Sequence, residues 1–222
     1  MDVADISGIT CPDGLELRIY DEGLTLVGED MELRGDFTRL LPRLRADRVR
    51  SELLVKAARI KGVEAPVVVD ATAGLGEDSL LLAAAGFHVD LYERDAVIAA
   101  LLRDALDRAG NEPQLTDVVA RMTLHEEDSI AAMRSLEMAP DVVLLDPMFP
   151  ARTKSAQVKK KFQLLHHLES PCEDEVALLD AAIAAHPRKV VIKRPPKGPY
   201  LAGKKPSYSL TGKAVRYDVI AL

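Results

Sequence analysis

The 222-residue sequence contains only two cysteines, Cys11 and Cys172, and no C-x-x-C pair. This excludes a disulfide framework and gives no support for a structural zinc site, so we expect no bound metal. Long apolar runs are also missing, since stretches such as Leu80–Ala85 are far too short to span a bilayer. The first residues carry acid where a signal peptide needs positive charge. These absences predict a cytoplasmic protein without a membrane segment.

The composition is that of an ordinary globular protein. Hydrophobic residues make up 48% and charged residues 29% of the chain, which excludes intrinsically disordered and fibrous classes. The length is about one and a half times a typical domain of roughly 150 residues. We therefore expect one full domain with a small appendage.

Acidic and basic residues are segregated along the chain. The net charge of −6 alone argues against a nucleic-acid-binding protein. However, residues 1–150 carry a net charge of −14 and residues 151–222 a net charge of +8, with no acid between Asp180 and Asp218. Such a basic block is either a surface for an anionic partner or a solvated face, and both interpretations stay open.

The first third of the sequence predicts a β appendage followed by a helix. Apolar residues alternate over 15–19 and again over 24–26, which is typical of short half-buried strands joined by a turn. We assign residues 1–46 to this appendage. Helical spacing of apolar residues then predicts one amphipathic helix over 47–61, ending at Gly62.

From residue 66 onward, strand and helix patterns alternate. This alternation predicts an α/β fold over residues 47–222, with a mostly parallel sheet, helices on both faces and an antiparallel C-terminal hairpin over 207–222. The predicted strands are 67–70, 88–93, 119–125, 141–145 and 189–193, and the predicted helices are 77–85, 96–108, 129–137, 155–168 and 173–185. Ligands of such sheets bind at the carboxyl ends of the strands.

The first of these strands ends in a glycine turn. Gly74 and Gly76 let the backbone approach a ligand at a helix N-terminus, although they could also make only a tight turn. Asp70 precedes the glycines, where a carboxylate suits an ammonium group rather than a pyrophosphate. Glu93 ends the next strand, 19 residues beyond Gly74, which is the spacing of an acid that binds ribose hydroxyls. An adenosine-like ligand with a cationic tail fits S-adenosylmethionine better than NAD.

The fourth strand is followed by Asp146-Pro147-Met148-Phe149-Pro150. The Asp146 carboxylate and the Pro147 carbonyl can accept the two protons of an exocyclic base amine, which leaves its lone pair directed at a methyl donor. Phe149 can stack on a flipped base. The alternative is a proline-bounded turn with an exposed aspartate.

Four segments carry a family resemblance. They are Val67–Asp78, Tyr92–Arg94, Asp141–Lys160 and Val190–Pro195, and together they are similar to the ribosomal RNA small subunit methyltransferase J family. The resemblance covers about residues 60–195, and the Asp-Pro-Met-Phe-Pro segment is its most specific part. It implies a class I methyltransferase (Rossmann-like) fold and methyl transfer from S-adenosylmethionine to N2 of a guanine in 16S ribosomal RNA.

The resemblance also implies which residues meet the ligands. The cofactor residues implied by the family or by the strand ends are Asp70, Gly74, Gly76, Glu77, Asp78, Glu93, Arg94, Asp128, Ser129 and Asp146. Without the family match, Asp128 and Ser129 could equally be a helix N-cap. Asp146, Pro147 and Phe149 are the predicted catalytic residues.

The expected partner is 16S ribosomal RNA or the small ribosomal subunit. We expect its phosphates to meet basic residues near the strand ends, namely Lys154, Lys159, Lys160, Lys161, Lys193 and Arg194. Three alternatives stay open: an adenine-N6 or cytosine-N4 methyltransferase, a non-catalytic RNA-binding module that retained the fold, and, more weakly supported, an NAD-dependent oxidoreductase.

Overall fold

A computed structural model describes residues 6–28, 31–147 and 175–222, which form two β-sheets and the helices that cover them. The small sheet is antiparallel and has the order β1-β2-β3. Its strands are β1 (Glu16–Tyr20), β2 (Gly23–Gly28) and β3 (Met31–Leu33). The predicted N-terminal β appendage is therefore present with a third strand that was not predicted, and the domain boundary at residue 46 stays a prediction.

The large sheet has seven strands in the order β6-β5-β4-β7-β8-β10-β9. The strands β4 to β8 are parallel to one another, whereas β10 is antiparallel to both β8 and β9. This confirms the predicted α/β fold and the C-terminal hairpin. The strands are β4 (Val67–Asp70), β5 (His88–Tyr92), β6 (Met122–His125), β7 (Val142–Leu145), β8 (Lys189–Arg194), β9 (Tyr208–Thr211) and β10 (Arg216–Ala221).

The helices of the described residues lie between these strands or before them. They are α1 (Leu41–Leu44), α2 (Ala46–Val49), α3 (Leu53–Ala58), α4 (Glu77–Ala84), α5 (Ala96–Gly110), α6 (Thr116–Val119), α7 (Ser129–Met133) and α8 (Glu175–Ala184), with 3₁₀ turns at Phe37–Leu40 and Leu201–Gly203. The predicted helix over 155–168 lies outside the described residues.

Alternation along the central strands places side chains on both faces of the sheet. In β7, Val142 and Leu144 join the core beneath α3 and α4, while Val143 and Leu145 join the core beneath α8. All four are at most 1% exposed, which explains why this strand is uniformly apolar.

The predicted single helix over 47–61 is wrong. The structure has α2 and α3 with a turn between them, because the Ser51 amide and the Ser51 hydroxyl both donate to the Arg48 carbonyl. The second helix ends at Ala58 rather than at Gly62, and the Lys189 ammonium donates to the carbonyls of Ala57 and Arg59 at that end.

The predicted strand over 119–125 is also too long. Its first residue belongs to α6, and pairing with β5 begins only at Met122. Likewise, the predicted helix over 129–137 ends at Met133.

The small sheet packs on the large one through α5. Leu24, Leu26 and Leu33 are completely buried in a cluster that includes Ile98 and Leu101 of that helix. A polar contact supports this packing, since the Leu24 amide donates to Asp104 Oδ2 at 3.1 Å. The appendage is thus bonded to the α/β domain by both apolar and polar contacts.

Candidate active site at the carboxyl edge of the sheet

The turn after β4 is held by backbone bonds to both neighbouring strands. The Ala71 amide donates to the Leu144 carbonyl at 3.0 Å, and the Ala73 amide donates to the Tyr92 carbonyl at 3.2 Å. The chain then enters α4, whose first amides lie at the carboxyl edge. The predicted glycine turn is therefore built between the ends of β5 and β7, where an α/β sheet binds ligands.

Gly74 and Gly76 contribute to this turn in different ways. Both have left-handed backbones, with φ of +53° and +74°. A Cβ atom on Gly76 would lie 2.7 Å from Leu102 Cδ1, so this glycine permits close packing beneath the turn. A Cβ atom on Gly74 would have no atom of the described residues within 4 Å, so in this part of the chain open space adjoins the turn at this glycine. Gly74 is thus the glycine beside which a ligand could lie.

Glu93 is a buried carboxylate beside Gly74. It is 8% exposed, and its two oxygens accept hydrogen bonds from the amides of Gly74 at 3.0 Å and Asp95 at 2.9 Å. Burial raises the pKa of this carboxyl group, while the backbone donors oppose the rise. Each oxygen retains a second lone pair, so the group can still accept hydrogen bonds from a ligand.

Asp70 lies deeper than a ligand-facing carboxylate would. It is 2% exposed; Oδ2 accepts a bond from the Ser79 hydroxyl at 2.5 Å, and Oδ1 accepts one from the Thr72 amide at 3.2 Å. Burial raises its pKa to about 7, and the negative charges of Asp78 and Asp146 add to the rise. Protein donors thus already hold both oxygens of the group that was predicted to meet an ammonium.

Two other predicted cofactor residues meet at the end of β6. Arg94 Nη1 lies 3.5 Å from Asp128 Oδ2, and both side chains are exposed. Asp128 Oδ1 also accepts the Ala131 amide, which makes this residue the N-cap of α7. Ser129 is buried in the first turn of that helix, and Glu77 is exposed in the first turn of α4. The capping role of Asp128 and a ligand contact are compatible, because capping uses only Oδ1 and the side chain is exposed.

Asp146 directly follows β7 and lies beside the glycine turn. The Asp146 amide donates to Thr72 Oγ1 at 2.6 Å, which links the ends of β4 and β7. Its Oδ2 lies 2.8 Å from Lys193 Nζ, and in the described part of the chain no donor bonds to Oδ1. The side chain is 39% exposed. Asp146 can therefore accept a hydrogen bond from a substrate without releasing Lys193.

Lys193 joins two carboxylates into one ionic group. Its Nζ lies 2.6 Å from Asp78 Oδ2 as well as 2.8 Å from Asp146 Oδ2, and the two charges raise its pKa against the effect of burial. Burial raises the pKa of Asp146, Lys193 lowers it, and Asp78 raises it further. The net effect is a raised pKa, and the ammonium opposes this rise and so favours the charged carboxylate.

The predicted RNA contacts of Lys193 and Arg194 need correction. Lys193 is bound between two carboxylates, so it belongs to the candidate active site rather than to a phosphate-binding surface. The Arg194 side chain is 0% exposed and its Nη2 lies 3.2 Å from Glu175 Oε1. Successive strand residues point to opposite faces, and here the second of the two is inside the protein.

Several predicted residues cannot be placed. Phe149, Lys154, Lys159, Lys160 and Lys161 lie outside the described residues. Pro147 follows Asp146 and is buried.

The site also contains residues that sequence reasoning missed. Thr72 orients Asp146, Ser79 binds Asp70, and Tyr217 lies opposite Lys193 in the register of β10 with β8. Tyr217 is 5% exposed, and burial next to Asp78 raises its pKa. Only Thr72 and Ser79 had a sequence signal, because both flank the glycines. Tyr217 is far away in the chain and enters the site only through strand pairing.

The described residues were also compared with what a metal site and a membrane-spanning helix require, and they meet neither requirement. No group of three or more His, Cys, Asp or Glu side chains there could hold a metal ion. In the same part of the chain, every helix is too short or too polar to cross a membrane.

Comparison with known proteins adds a family to this geometry. A family model described as "Putative SAM-dependent methyltransferase" matches residues 11–221. The protein named ribosomal RNA small subunit methyltransferase J from Pseudomonas aeruginosa is 48% identical over 169 residues, which are 76% of this chain and 65% of that protein. The protein of the same name from Neisseria meningitidis is 42% identical over 199 residues, 88% of this chain and 79% of that one. The chain spans slightly less than two thirds of the Pseudomonas relative's length.

Solved structures agree with the fold. A crystal structure of an S-adenosylmethionine-dependent methyltransferase from Neisseria gonorrhoeae is 36% identical and has a TM-score of 0.76, covering 96% of this chain and 85% of that one. An rRNA methyltransferase from Streptomyces viridochromogenes has a TM-score of 0.51 at 16% identity, covering 78% of this chain and 84% of that one, a likeness of fold alone.

Proposed function

Because the chain belongs to the S-adenosylmethionine-dependent methyltransferase family that includes the ribosomal RNA small subunit methyltransferase J proteins, we propose that it methylates the exocyclic N2 amine of a guanine in 16S ribosomal RNA. The observation that carries this proposal is the state of Asp146. One oxygen is held by Lys193, the backbone is held by Thr72, and the other oxygen has no donor among the described residues.

The residues around the glycine turn fit S-adenosylmethionine. The open space beside Gly74 adjoins the buried Glu93 carboxylate, which can accept hydrogen bonds from two ribose hydroxyls. Arg94, Asp128 and Ser129 lie at the next strand end and would border the same ligand. When bound, S-adenosylmethionine supplies a methyl group on a positively charged sulfur.

The carboxylates of the site suit this cationic ligand. Asp78, Lys193 and Asp146 together carry a net charge of −1 when ionised, and Asp70 lies beside them with its raised pKa. No lysine in the turn would attract a pyrophosphate instead. Both oxygens of Asp70 already accept hydrogen bonds from the protein. We therefore propose that Asp70 attracts the ligand's ammonium group electrostatically from a distance, or bonds to it only after these hydrogen bonds rearrange.

Asp146 and Pro147 would orient the substrate amine. The free oxygen of Asp146 accepts one N–H and the Pro147 carbonyl accepts the other, so the nitrogen lone pair points away from both. Lys193 holds the carboxylate in place and charged, which lowers the cost of polarising the amine. Orientation of this kind supplies most of the rate enhancement, because no strong base is needed before attack. As the nitrogen takes the methyl group, the bond between the methyl carbon and the sulfur would break with its electron pair staying on the sulfur, and one N–H proton would pass to the free oxygen of Asp146.

The proposal is tested by mapping the methylated nucleotide. Purified protein is incubated with labelled S-adenosylmethionine and with small ribosomal subunits or 16S rRNA from a strain that lacks the modification. We expect label in N2-methylguanosine after nuclease digestion and mass spectrometry. Label in N6-methyladenosine or N4-methylcytidine would overturn the assignment of the base. RNA binding without any incorporation would favour the non-catalytic module.

A further inference from the structure

Four of the nine basic residues between Asp180 and Asp218 are held by the fold. Lys189 caps the end of α3, Lys193 is held by Asp78 and Asp146, and Arg194 is buried against Glu175. Arg216 is 9% exposed and forms an ion pair with Asp218 at 2.7 Å. The two residues of this block that were predicted to meet RNA, Lys193 and Arg194, are therefore not available to its phosphates.

Exposed arginines occur instead in the acidic half of the chain. Residues 39–61 contain eight Lys and Arg and two Asp and Glu, whereas residues 1–150 as a whole carry a net charge of −14. Four of these arginines lie in residues 43–52, here called the arginine loop, and all four are exposed. They are Arg43, Arg45, Arg48 and Arg50.

The arginine loop is closed by its own ends. Arg43 Nε and Nη2 donate to the two carboxylate oxygens of Glu52 at 3.0 and 3.1 Å, a two-bond geometry that fixes the loop. Arg45 lies 3.5 Å from Asp47. In the described part of the chain, the side chains of Arg48 and Arg50 contact no acid. These two guanidinium groups are available to an external anion.

The arginine loop lies at the carboxyl edge, beside the candidate active site. The pKa of Arg43 is raised mainly by Glu52 and further by Asp78, and the pKa of Tyr217 is raised by burial, by Asp78 and to a smaller extent by Glu52. Leu53, directly after the loop, lies next to Gly212 in the β9–β10 turn, where a Cβ atom would be 2.8 Å from Leu53 Cδ1. Asp78 shares Lys193 with Asp146, so the carboxylate whose charge acts on Arg43 belongs to the ionic group of the candidate active site.

We propose that the arginine loop is a docking surface for the phosphates of the RNA substrate, through Arg48 and Arg50. This inference rests on the proposed function and adds the place where the RNA chain enters. Planar guanidinium groups bind phosphate oxygens in pairs, and a basic island in an acidic half of the protein directs a polyanion to one side of the site. The exposed Lys213 in the neighbouring β9–β10 turn extends the same surface.

The chain offers a matched control for this surface. Arg59 and Lys61 are also exposed and lie just beyond α3, at its opposite end. The Arg59 carbonyl accepts a bond from Lys189 at the start of β8, which places this segment at the amino edge of the sheet. Reversing two charges at either edge changes the net charge equally, but only one edge adjoins the site.

The experiment compares R48E/R50E with R59E/K61E in full-length protein. Methyl transfer is measured with protein-free 16S rRNA and with small subunits, both lacking the modification, and S-adenosylmethionine binding is measured by calorimetry. For R48E/R50E we expect the KM for RNA to rise at least about tenfold, with the log-log salt slope reduced by roughly 0.7 for each lost contact to single-stranded RNA. Cofactor affinity and thermal unfolding should match the parent, and R59E/K61E should behave as the parent in every assay.

The outcomes separate the inference from the function on which it rests. Equal KM increases in both double variants would mean a general charge effect, and no increase in either would mean that RNA docks elsewhere. Each result overturns the inference while the parent still methylates RNA. A defect seen with subunits but not with protein-free rRNA would assign the loop to a ribosomal protein and also overturn it. If the parent itself fails to methylate, the proposed function has failed. Should R48E/R50E unfold, R48Q/R50Q is measured in its place and must show the same KM increase.

Discussion

Asp146 presents one carboxylate oxygen to Lys193, and its other oxygen has no donor among the described residues, so a substitution there should separate chemistry from folding. Asp146→Asn keeps the shape, and its oxygen can still accept the Lys193 bond. The amide nitrogen then faces the amine with a donor where an acceptor is required. We expect kcat to fall about a hundredfold or more, with an unchanged melting temperature. Near-normal turnover of the folded variant would remove Asp146 from the amine-binding role.

Lys193 should determine the pH dependence of the reaction. Lys193→Met removes the charge that lowers the pKa of Asp146, while burial and the charge of Asp78 continue to raise it. Asp146 works as the anion, so activity is lost as pH falls through its pKa. We therefore expect the acidic limb of the kcat profile to move to higher pH.

The control for this experiment is Lys197→Met, which alters an exposed lysine four residues later. Its pH profile should match that of the parent. If the acidic limb stays in place in Lys193→Met while the melting temperature falls, Lys193 stabilises the fold only.

Asp70 should make the folded protein less stable as pH rises. Its pKa is about 7 in the folded state against 3.8 for the ordinary group, so the folded protein binds this proton more tightly than the unfolded chain does. Stability from this group is present below about pH 4 and is lost as pH rises through 7. Asp70→Asn should abolish that loss, a change of roughly 2 to 3 kcal/mol between pH 5 and pH 8. Urea unfolding at the two pH values measures it, and an equal pH dependence in parent and variant would contradict the role of burial.

At the scale of elements, the two glycines of the turn differ, because Gly76 is required for packing and Gly74 adjoins the space where a ligand could lie. Gly76→Ala adds a methyl group 2.7 Å from Leu102 Cδ1 on a left-handed backbone, so we expect a loss of about 2 to 4 kcal/mol in the free energy of unfolding. Gly74→Ala lies on the same kind of left-handed backbone, but its added methyl group would have no atom of the described residues within 4 Å. It should cost only about 1 to 2 kcal/mol while weakening S-adenosylmethionine binding. Equal stabilities of the two variants by denaturant unfolding would show that the packing beneath Gly76 is not the cause.

The helical elements show where local pattern is insufficient. Apolar spacing over 47–61 is compatible with one helix, yet Ser51 bonds to the preceding turn and Arg43 holds Glu52 from outside. The resulting break exposes Arg48 and Arg50 at the carboxyl edge. Hydrogen bonds of individual side chains within residues 43–52 decided this element, because the few helical hydrogen bonds lost at the break stabilise a short helix only weakly.

At the scale of the whole molecule, the small sheet and the cofactor turn share one core. Leu24, Leu26 and Leu33 lie in the same cluster as Leu75 of the glycine turn and Ile98 of α5. The N-terminal strands therefore support the turn from below. We therefore expect a substitution that loosens this cluster to weaken S-adenosylmethionine binding at the candidate active site.

Leu26→Ala tests that connection. It removes a completely buried side chain, so we expect a loss of about 2 to 5 kcal/mol in the free energy of unfolding, together with weaker S-adenosylmethionine binding. Ile19→Ala is the control, because Ile19 is 42% exposed on the neighbouring strand and should cost about 0.5 kcal/mol or less. Stability and cofactor affinity are measured together by unfolding and calorimetry. A Leu26→Ala variant that binds the cofactor as tightly as the parent would show that the appendage does not support the turn.

The sequence by itself determined the α/β class and which acidic and glycine residues stand at the strand ends. These follow from local patterns, since strand periodicity, a glycine turn and an acid 19 residues later are readable without knowing what packs where. Only the tertiary structure decided which charged side chains are paired or buried and which are exposed. The segregation of acidic and basic residues along the sequence predicted a basic RNA-binding tail. Strand pairing and burial instead placed Lys193 between two aspartates and Arg194 inside the protein. A charge is neutralised or left free by neighbours distant in the chain, because electrostatic energy depends on distance and on burial rather than on sequence separation.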